Sequence, residues 1–533
     1  MYDWRPKITD CLFVNTITQP TILRNNLYLS FALLCILITS AHAQTPTIQW
    51  QKSLGGSNNE YSYDIRLTSD SGYIIAGCSK SANADVAANY GDYDAWVIKL
   101  TASGAVQWKR QMGGSSEDVA VSIQQTSDGG YIMAGNTSSA DSDVTANHGS
   151  KDIWVVKFDP VGGISWQKTF GGSGADGAVA IRETPDSGYV IAGYTSSADG
   201  DISLNRGSYD LWVFKLSASG TIEWQKTYGG LAEDYASSIQ CTNNGYIVAG
   251  FTTSSSGDVS ANHGSEDVWV LQLSDTGAIV WQKTLGGSGD DFAEDIIQTI
   301  DSGYILACGS NSANGDISGN KGHGDAWIVK LSQTGALQWQ KNFGSSQDDA
   351  ATSIRQLPGG DYVISGWVSA GDVDVSGFHG STDYWIAGIS ATGTLQWQKS
   401  LGSLGMEVAR GMQPTPDSGY IMTGYSYYAG GDVATNHGGN DIWVVKLLPA
   451  PVRIDGLQVG PQIVLSPNPT TGQIAIEGMA SSDISVYSIS GQLIKKAKAT
   501  NVISIAELPA GIYTIKLSDE SAAIIYTGTI QKL

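Results

Sequence analysis

Between residues 48 and 448 the chain alternates short runs of β-branched and aromatic residues with clusters of Gly, Asp, Ser and Asn. In one such stretch Asp118 precedes apolar positions at Val121 and Ile123, and the run ends at Gln125. Asp128-Gly129-Gly130 marks a tight turn, and Tyr131-Ile132-Met133-Ala134-Gly135 follows. A long polar loop then reaches Asp152–Phe158, which is apolar on both faces at Trp154, Val155 and Val156. Gly162-Gly163 marks the next turn, before Ile164–Thr169 and a closing Gly171-Gly172. Runs of this length and composition, bounded by turn residues, predict four β-strands. Helical periodicity is absent throughout.

The same stretch is stated seven times. One tryptophan recurs at Trp96, Trp154, Trp212, Trp269, Trp327, Trp385 and Trp443. A second, followed by Gln-Lys or a variant of it, recurs at Trp50, Trp108, Trp166, Trp224, Trp281, Trp339 and Trp397, at a spacing of 57 or 58 residues. Together they account for fourteen of the sixteen tryptophans. A fixed period of this size marks a repeat array. Four strands per unit, joined by tight turns except for one long loop, predict a propeller blade. The third strand, apolar on both faces, fits a blade sandwiched between two others. The ends of the array predict closure. The chain enters with an isolated fourth strand, Ile48 to Leu54, and leaves after a third strand, Asp441 to Leu447. The N-terminal strand should therefore complete the last blade and cover an open edge. The expected fold is all-β, with a seven-bladed β-propeller over residues 44–448.

Residues 1–43 read as a signal peptide with a long N-terminal extension. Leu27 to Ile38 is apolar, Arg24 precedes it, and Ala41-His42-Ala43 is a small-x-small cleavage site. The run is too short for a comfortable membrane span, so no transmembrane segment is expected in the mature chain. Residues 449–464 form a linker broken by Pro449, Pro451 and Pro461. From 465 to 533 the tryptophans stop, and short alternating strands with glycine turns predict a small C-terminal β-sandwich.

This last segment carries Ser466-Pro467-Asn468-Pro469-Thr470-Thr471-Gly472, then Gly491-Gln492-Leu493, then Leu508-Pro509-Ala510-Gly511-Ile512-Tyr513. In these motifs and their order it resembles the C-terminal type A sorting domain of the Bacteroidota type IX secretion system. The resemblance implies that Pro467, Asn468, Pro469, Gly472, Gly491, Gly511 and Tyr513 belong to a sorting signal read by the type IX machinery. It also implies transfer across the outer membrane, cleavage of the domain, and a cargo released or anchored at the cell surface. Tyr526-Thr527-Gly528 stands where such domains often carry a lysine.

Charge narrows the partners. The whole chain has a formal net charge of −21. The C-terminal segment is neutral, so the negative charge lies on the repeats. That excludes nucleic acid as a partner and disfavours an anionic membrane, because both would be repelled. Cys78, Cys241 and Cys308 show no regular spacing and predict neither a disulfide framework nor a zinc site.

Two acidic series recur. One follows the Gly-Gly loop: Glu60, Asp118, Asp176, Asp234, Asp291, Asp349 and Glu407. The other is a pair nine residues apart in the long loop, from Asp85 with Asp94 to Asp432 with Asp441. Strand parity puts both on one face, which should then carry roughly twenty carboxylates. Acids beside glycine turns accept backbone N–H bonds, and this is the reading favoured here. Ligation of Ca2+ by the long loops is the alternative, since Asp143, Asn147 and their equivalents offer oxygen ligands to a hard cation. No catalytic motif occurs and no cofactor is expected. Function should lie where the blades differ. Trp367, Tyr425 and Tyr427 give blades six and seven extra aromatic surface, a candidate platform for an extracellular glycan or protein. The expected function is a secreted or cell-surface binding protein. The alternatives are a secreted polysaccharide hydrolase or lyase, favoured by an acid in one blade only, and a structural surface component.

Overall fold

The computed structural model describes residues 45–449, 464–466, 468–477, 482–488, 491–518 and 524–533. The signal-peptide reading of residues 1–43, most of the linker at 449–464, and Pro467 lie outside the described residues.

Seven four-stranded antiparallel sheets follow one another along the chain. Six are built from consecutive strands. The second of these comprises Asp118–Gln125, Tyr131–Thr137, Asp152–Phe158 and Ile164–Phe170. The seventh comprises Glu407–Pro414, Tyr420–Ser426, Asp441–Leu448 and, as its outer strand, Thr47–Leu54. Ile48 lies opposite Leu447 and Leu54 opposite Ile442. The first strand among the described residues thus completes the last blade. We number the blades one to seven from Glu60.

Closure into a ring is visible in the packing. The first strands of the blades touch one another in a complete cycle, blade seven against blade one included. They are Glu60–Leu67, Asp118–Gln125, Asp176–Glu183, Asp234–Thr242, Asp291–Gln298, Asp349–Gln356 and Glu407–Pro414. Seven hydrophobic clusters fill the seven gaps between blades. One joins Ile132, Ile153 and Val155 of blade two to Ile181, Trp212 and Phe214 of blade three. Another joins Ile421 and Val444 of blade seven to Ile65, Tyr73 and Trp96 of blade one. Third strands are buried along their whole ladder, such as Asp152–Phe158, because both of their faces meet a neighbouring sheet.

Each repeated tryptophan has a definite role. The third-strand indoles are fully buried, and most donate their N–H to a glutamine on the fourth strand of their blade, as Trp154 does to Gln167 at 2.6 Å. The fourth-strand indoles cover the hairpin turn of the next blade. A Cβ on Gly162, where φ is +85°, would lie 3.0 Å from the Trp108 ring, so the turn requires glycine twice over. Removing one of the buried third-strand indoles would cost about 3–5 kcal/mol.

The C-terminal residues form a three-stranded and a four-stranded sheet. Val464–Ser466, Gln473–Glu477 and Val502–Ser504 make the first. The second has the order Leu493–Thr500, Ser482–Tyr487, Gly511–Ser518, Ile524–Lys532. Ile474, Ile476 and Ile503 of one sheet share a core with Ile484, Val486, Ile515 and Leu517 of the other, which is the expected sandwich. Among the described residues no helix is long and apolar enough to cross a membrane.

Candidate functional site

All seven first strands are broken at the same place. Register shifts by one residue between Ser62 and Asp64, between Ala120 and Ser122, and at each equivalent point through Ala409 and Gly411. In a bulge of this kind two residues oppose one, and the extra residue is re-aimed. In six blades the residue opposite is a glycine, where the approach is close: a Cβ on Gly135 would lie 1.9 Å from the Val119 carbonyl oxygen; blade five has Cys308 there. The extra residue is Tyr63, Val121, Val179, Ser237, Glu294, Thr352 or Arg410, according to the blade. All seven line one central cavity of 240 Å³, together with side chains of the next few positions. This is the axial channel of the ring, and the residues that line it differ from blade to blade.

A belt of hydrogen bonds crosses from blade to blade around this cavity. In blade one, Arg66 Nε donates to both oxygens of Asp64, at 3.0 and 3.2 Å. Asp64 also accepts from Ser122 Oγ and from the Ile123 N–H of blade two, each at 3.1 Å. In blade six, Arg355 donates from Nη1 to Asp295 of blade five and from Nε to Gln413 of blade seven, the latter at 3.2 Å. Asp295 further accepts from Ser238 Oγ at 3.1 Å and from the Ile296 and Ile354 N–H groups. Burial alone would raise the Asp295 carboxyl, but Arg355 outweighs it and holds it below the usual range. Arg182 of blade three is bound differently. Its Nε donates to Gln240 at 3.0 Å, and its Nη1 to Ser122 Oγ at 3.3 Å and to the Ile181 carbonyl at 2.7 Å. Burial, followed by the charge of Arg66, pulls its guanidinium down to about 9.

Two channel residues stand apart from the belt. Glu294 has no hydrogen-bond partner among the described residues. Burial pushes its carboxyl up, and the charge of Arg410 opposes that only in part. Arg410 keeps its Nε buried and without a partner. Four arginines therefore meet three carboxylates inside a protein whose overall charge is −21.

The repeated acids are not a charged surface. Asp118, Asp152 and their equivalents, fourteen carboxylates in all, are buried between blades. The expected face of roughly twenty exposed carboxylates is corrected accordingly. Asp118 accepts from the Gly114 N–H at 2.7 Å, from Ser139 Oγ at 2.8 Å and from Thr137 Oγ1, which ties two loops together. Asp152 Oδ2 accepts from the N–H and Nδ1 of His148, while its Oδ1 has no partner. The same orphaned Oδ1 occurs in Asp94, Asp210, Asp267, Asp325, Asp383 and Asp441. In the loops, Asn147 Oδ1 accepts the Gly149 N–H, and Asp143 Oδ2 accepts the Gly113 N–H. Among the described residues no group of three or more His, Cys, Asp or Glu side chains is arranged to hold a metal ion.

Trp367 and Tyr425 occupy equivalent half-buried positions at the ends of the second strands of blades six and seven. Tyr425 meets Tyr61 of blade one edge-on, at 4.9 Å between centroids. Tyr427 is 40% exposed and packs on Tyr428. No ring contact among the described residues joins these three side chains to one another. A separate aromatic cluster, Tyr194, Tyr209, Tyr235 and Phe251, links blades three and four, with Tyr235 stacked on Phe251 at 5.0 Å.

In the C-terminal sandwich the motif residues clasp the last strand. Asn468 Nδ2 donates to the Thr529 carbonyl, and its Oδ1 accepts the Gln531 N–H, both at 2.9 Å. The Gly472 N–H donates to Thr470 Oγ1 at 3.1 Å. Pro469 is exposed. Gly491 supplies a turn at φ +81°. Gly511 opens the strand on which Tyr513 is buried, and the Tyr513 hydroxyl donates to the Pro509 carbonyl at 2.8 Å.

Residues 465–530 match the family described as the secretion system C-terminal sorting domain. The chain is thus a seven-bladed propeller carried as cargo of type IX secretion, exported to the cell surface or the extracellular space. No curated protein matches its sequence significantly. Among solved structures, it is similar to the WD40 domain of Neurospora crassa Pan2, with 11% identity, 76% of this chain and 96% of that chain covered, and a TM-score of 0.39. It is similar to Sqt1 from Chaetomium thermophilum at 12% identity, covering 76% and 100%, with a TM-score of 0.39. A puromycin hydrolase aligns at 9% identity over 90% of this chain and 62% of its own, with a TM-score of 0.44. These likenesses concern the fold alone.

Proposed function

We propose that the protein is an exported binding propeller that takes an extracellular glycan or protein at its axial channel. One observation carries this reading: the bulged residues that line the channel differ in size, polarity and charge from blade to blade, although the bulge itself recurs in all seven. A repeat under only structural demands has no reason to place Tyr63, Glu294 and Arg410 at one equivalent position. Polar groups held by a fixed belt, in a concave site, are what selective binding requires.

The purified full chain should bind members of an array of immobilised oligosaccharides and peptides. The double variant Glu294→Gln with Arg410→Gln should lose that signal while keeping its unfolding midpoint. Unchanged binding by the variant would remove the channel from the reading.

A second reading rests on Glu294. It is an acid found in one blade only, and burial keeps its carboxyl raised, as a general acid requires. Glycoside cleavage usually needs two free carboxyl groups. The other two in the channel, Asp64 and Asp295, are tied up in ion pairs. Binding is therefore the better-supported reading. Release of reducing ends from a polysaccharide panel, abolished by Glu294→Gln, would reverse that order.

A further inference from the structure

We infer that the guanidinium of Arg182 is the anchor for a single carboxylate of the channel's ligand, and that an acidic sugar carries it. The inference rests on the channel being the binding site. Arg66, Arg182 and Arg355 occupy the same position in blades one, three and six. Arg182 and Arg355 are held alike: Nε donates to a glutamine of the next blade, and Nη1 donates to the carbonyl of the preceding residue. They differ in one partner. Where Arg355 meets the carboxylate of Asp295, Arg182 meets only the hydroxyl of Ser122.

Arg182 is therefore a cation 8% exposed, lining the cavity, with no carboxylate of its own. Its Nη2 makes no hydrogen bond to the protein. A buried charge is costly unless it is paired, so an unpaired one held rigidly by three bonds is poised for an anion. The belt contains three arginines and two aspartates, and a monoanion makes it neutral. A dianion such as phosphate would leave excess negative charge beside Asp64 and Asp295. A planar carboxylate also fits guanidinium geometry. The cavity has room for about eight waters at roughly 30 Å³ each, enough for one ring-sized group but not for a folded partner. Ser237 lines the same space, and its hydroxyl suits a sugar ring.

Thermal unfolding of the full chain, at fixed ionic strength, tests this with sodium galacturonate, galactose, N-acetylglycine and sodium chloride. Galacturonate should raise the midpoint in a saturable way, and galactose and chloride should not. Arg182→Gln should weaken the galacturonate response by roughly tenfold or more. Ala180→Asp provides a second variant, because it copies the Asp64–Arg66 pair of blade one into blade three and gives Arg182 an internal partner. It should fold and lose the response equally. Wild-type affinity in both variants, or an equal response to galactose, would overturn the anchor. A response to N-acetylglycine without one to galacturonate would overturn the sugar assignment in favour of a peptide carboxylate. Array binding that depends on Glu294 and Arg410, with no carboxylate response at all, would sink this inference and leave the channel reading intact.

Discussion

The indole N–H of Trp443 donates to the side-chain oxygen of Gln51 at 2.9 Å, joining residues 392 positions apart. The same bond recurs within blades across only 13 positions, as between Trp269 and Gln282 at 2.8 Å. A local contact of the repeat has become the clasp of the ring.

Opening that clasp should be costly. Gln51→Leu leaves the Trp443 N–H buried and unpaired, and should lower stability by about 1–3 kcal/mol in urea denaturation. Deleting residues 44–55 exposes the ladder of Asp441–Leu448, and should lower the unfolding midpoint by many degrees with association of the exposed edges. Deleting residues 465–533 should leave the propeller transition almost unchanged. Equal damage from the two deletions would refute the domain boundary.

Acidity should first stabilise and then destabilise the fold. Burial, with the charges of Asp118 and Asp143 added, pushes Asp94 up to about 6, and burial does the same for Asp349. Both values lie above the 3.8 of a free carboxyl, so the folded state binds protons more tightly than the unfolded chain. Stability from this source is fully present below the unfolded value and is lost as pH rises through about 6. Asp186 behaves in the opposite way. Bonds from Lys215 and Thr184 hold it at about 2, and its contribution is lost as pH falls through that value. Calorimetry should therefore show the midpoint rising from about pH 7 to about pH 4, then falling. Asp94→Asn should flatten the rise. A monotonic fall from neutral pH would contradict the assignment.

Calcium should matter little. Asp258 accepts the Gly229 N–H and Asp267 accepts from His263, so both carboxylates of this loop pair are used in holding turns. Millimolar calcium should shift the midpoint no more than sodium chloride of equal ionic strength. A larger shift, lost in the double variant Asp258→Asn with Asp267→Asn, would make the loops metal sites.

Export should depend on the C-terminal sandwich. A chain lacking residues 465–533 should accumulate in the periplasm of a type IX-competent host. Tyr513→Ala removes a buried ring and its bond to the Pro509 carbonyl, and should reduce export by destabilising the domain. Wild-type levels of the shortened chain in the medium would remove the sorting role.

The ring was legible in the sequence because every blade repeats the same solution. Trp154 and its equivalents, the glycine turns and the unmatched strand at Trp50 each state a local requirement that does not depend on the rest of the chain. The channel was harder to see. Its residues are defined by a bulge that ordinary strand alternation does not announce, so Glu294 and Arg410 read as unremarkable strand positions. Aligning the seven first strands and asking where side chains share no common type would have found them. The acids misled in the opposite direction: strand parity gave their face correctly, but Asp94 and Asp118 point between the sheets, and parity carries no information about depth. The aromatic cluster of blades three and four was also hidden. Tyr209 and Tyr235 meet only because blades three and four are neighbours in space.

Closure by the N-terminal strand sets an order of assembly. In any vectorial passage of the chain Thr47–Leu54 emerges almost four hundred residues before its partner, Asp441–Leu448. Until then this strand has no edge to join, and the ring cannot lock. Contacts of such long sequence separation form slowly. Chains caught in transit are therefore open arcs, with two unsatisfied edges held in one molecule, and the finished disc is a product of complete delivery to the compartment where it folds.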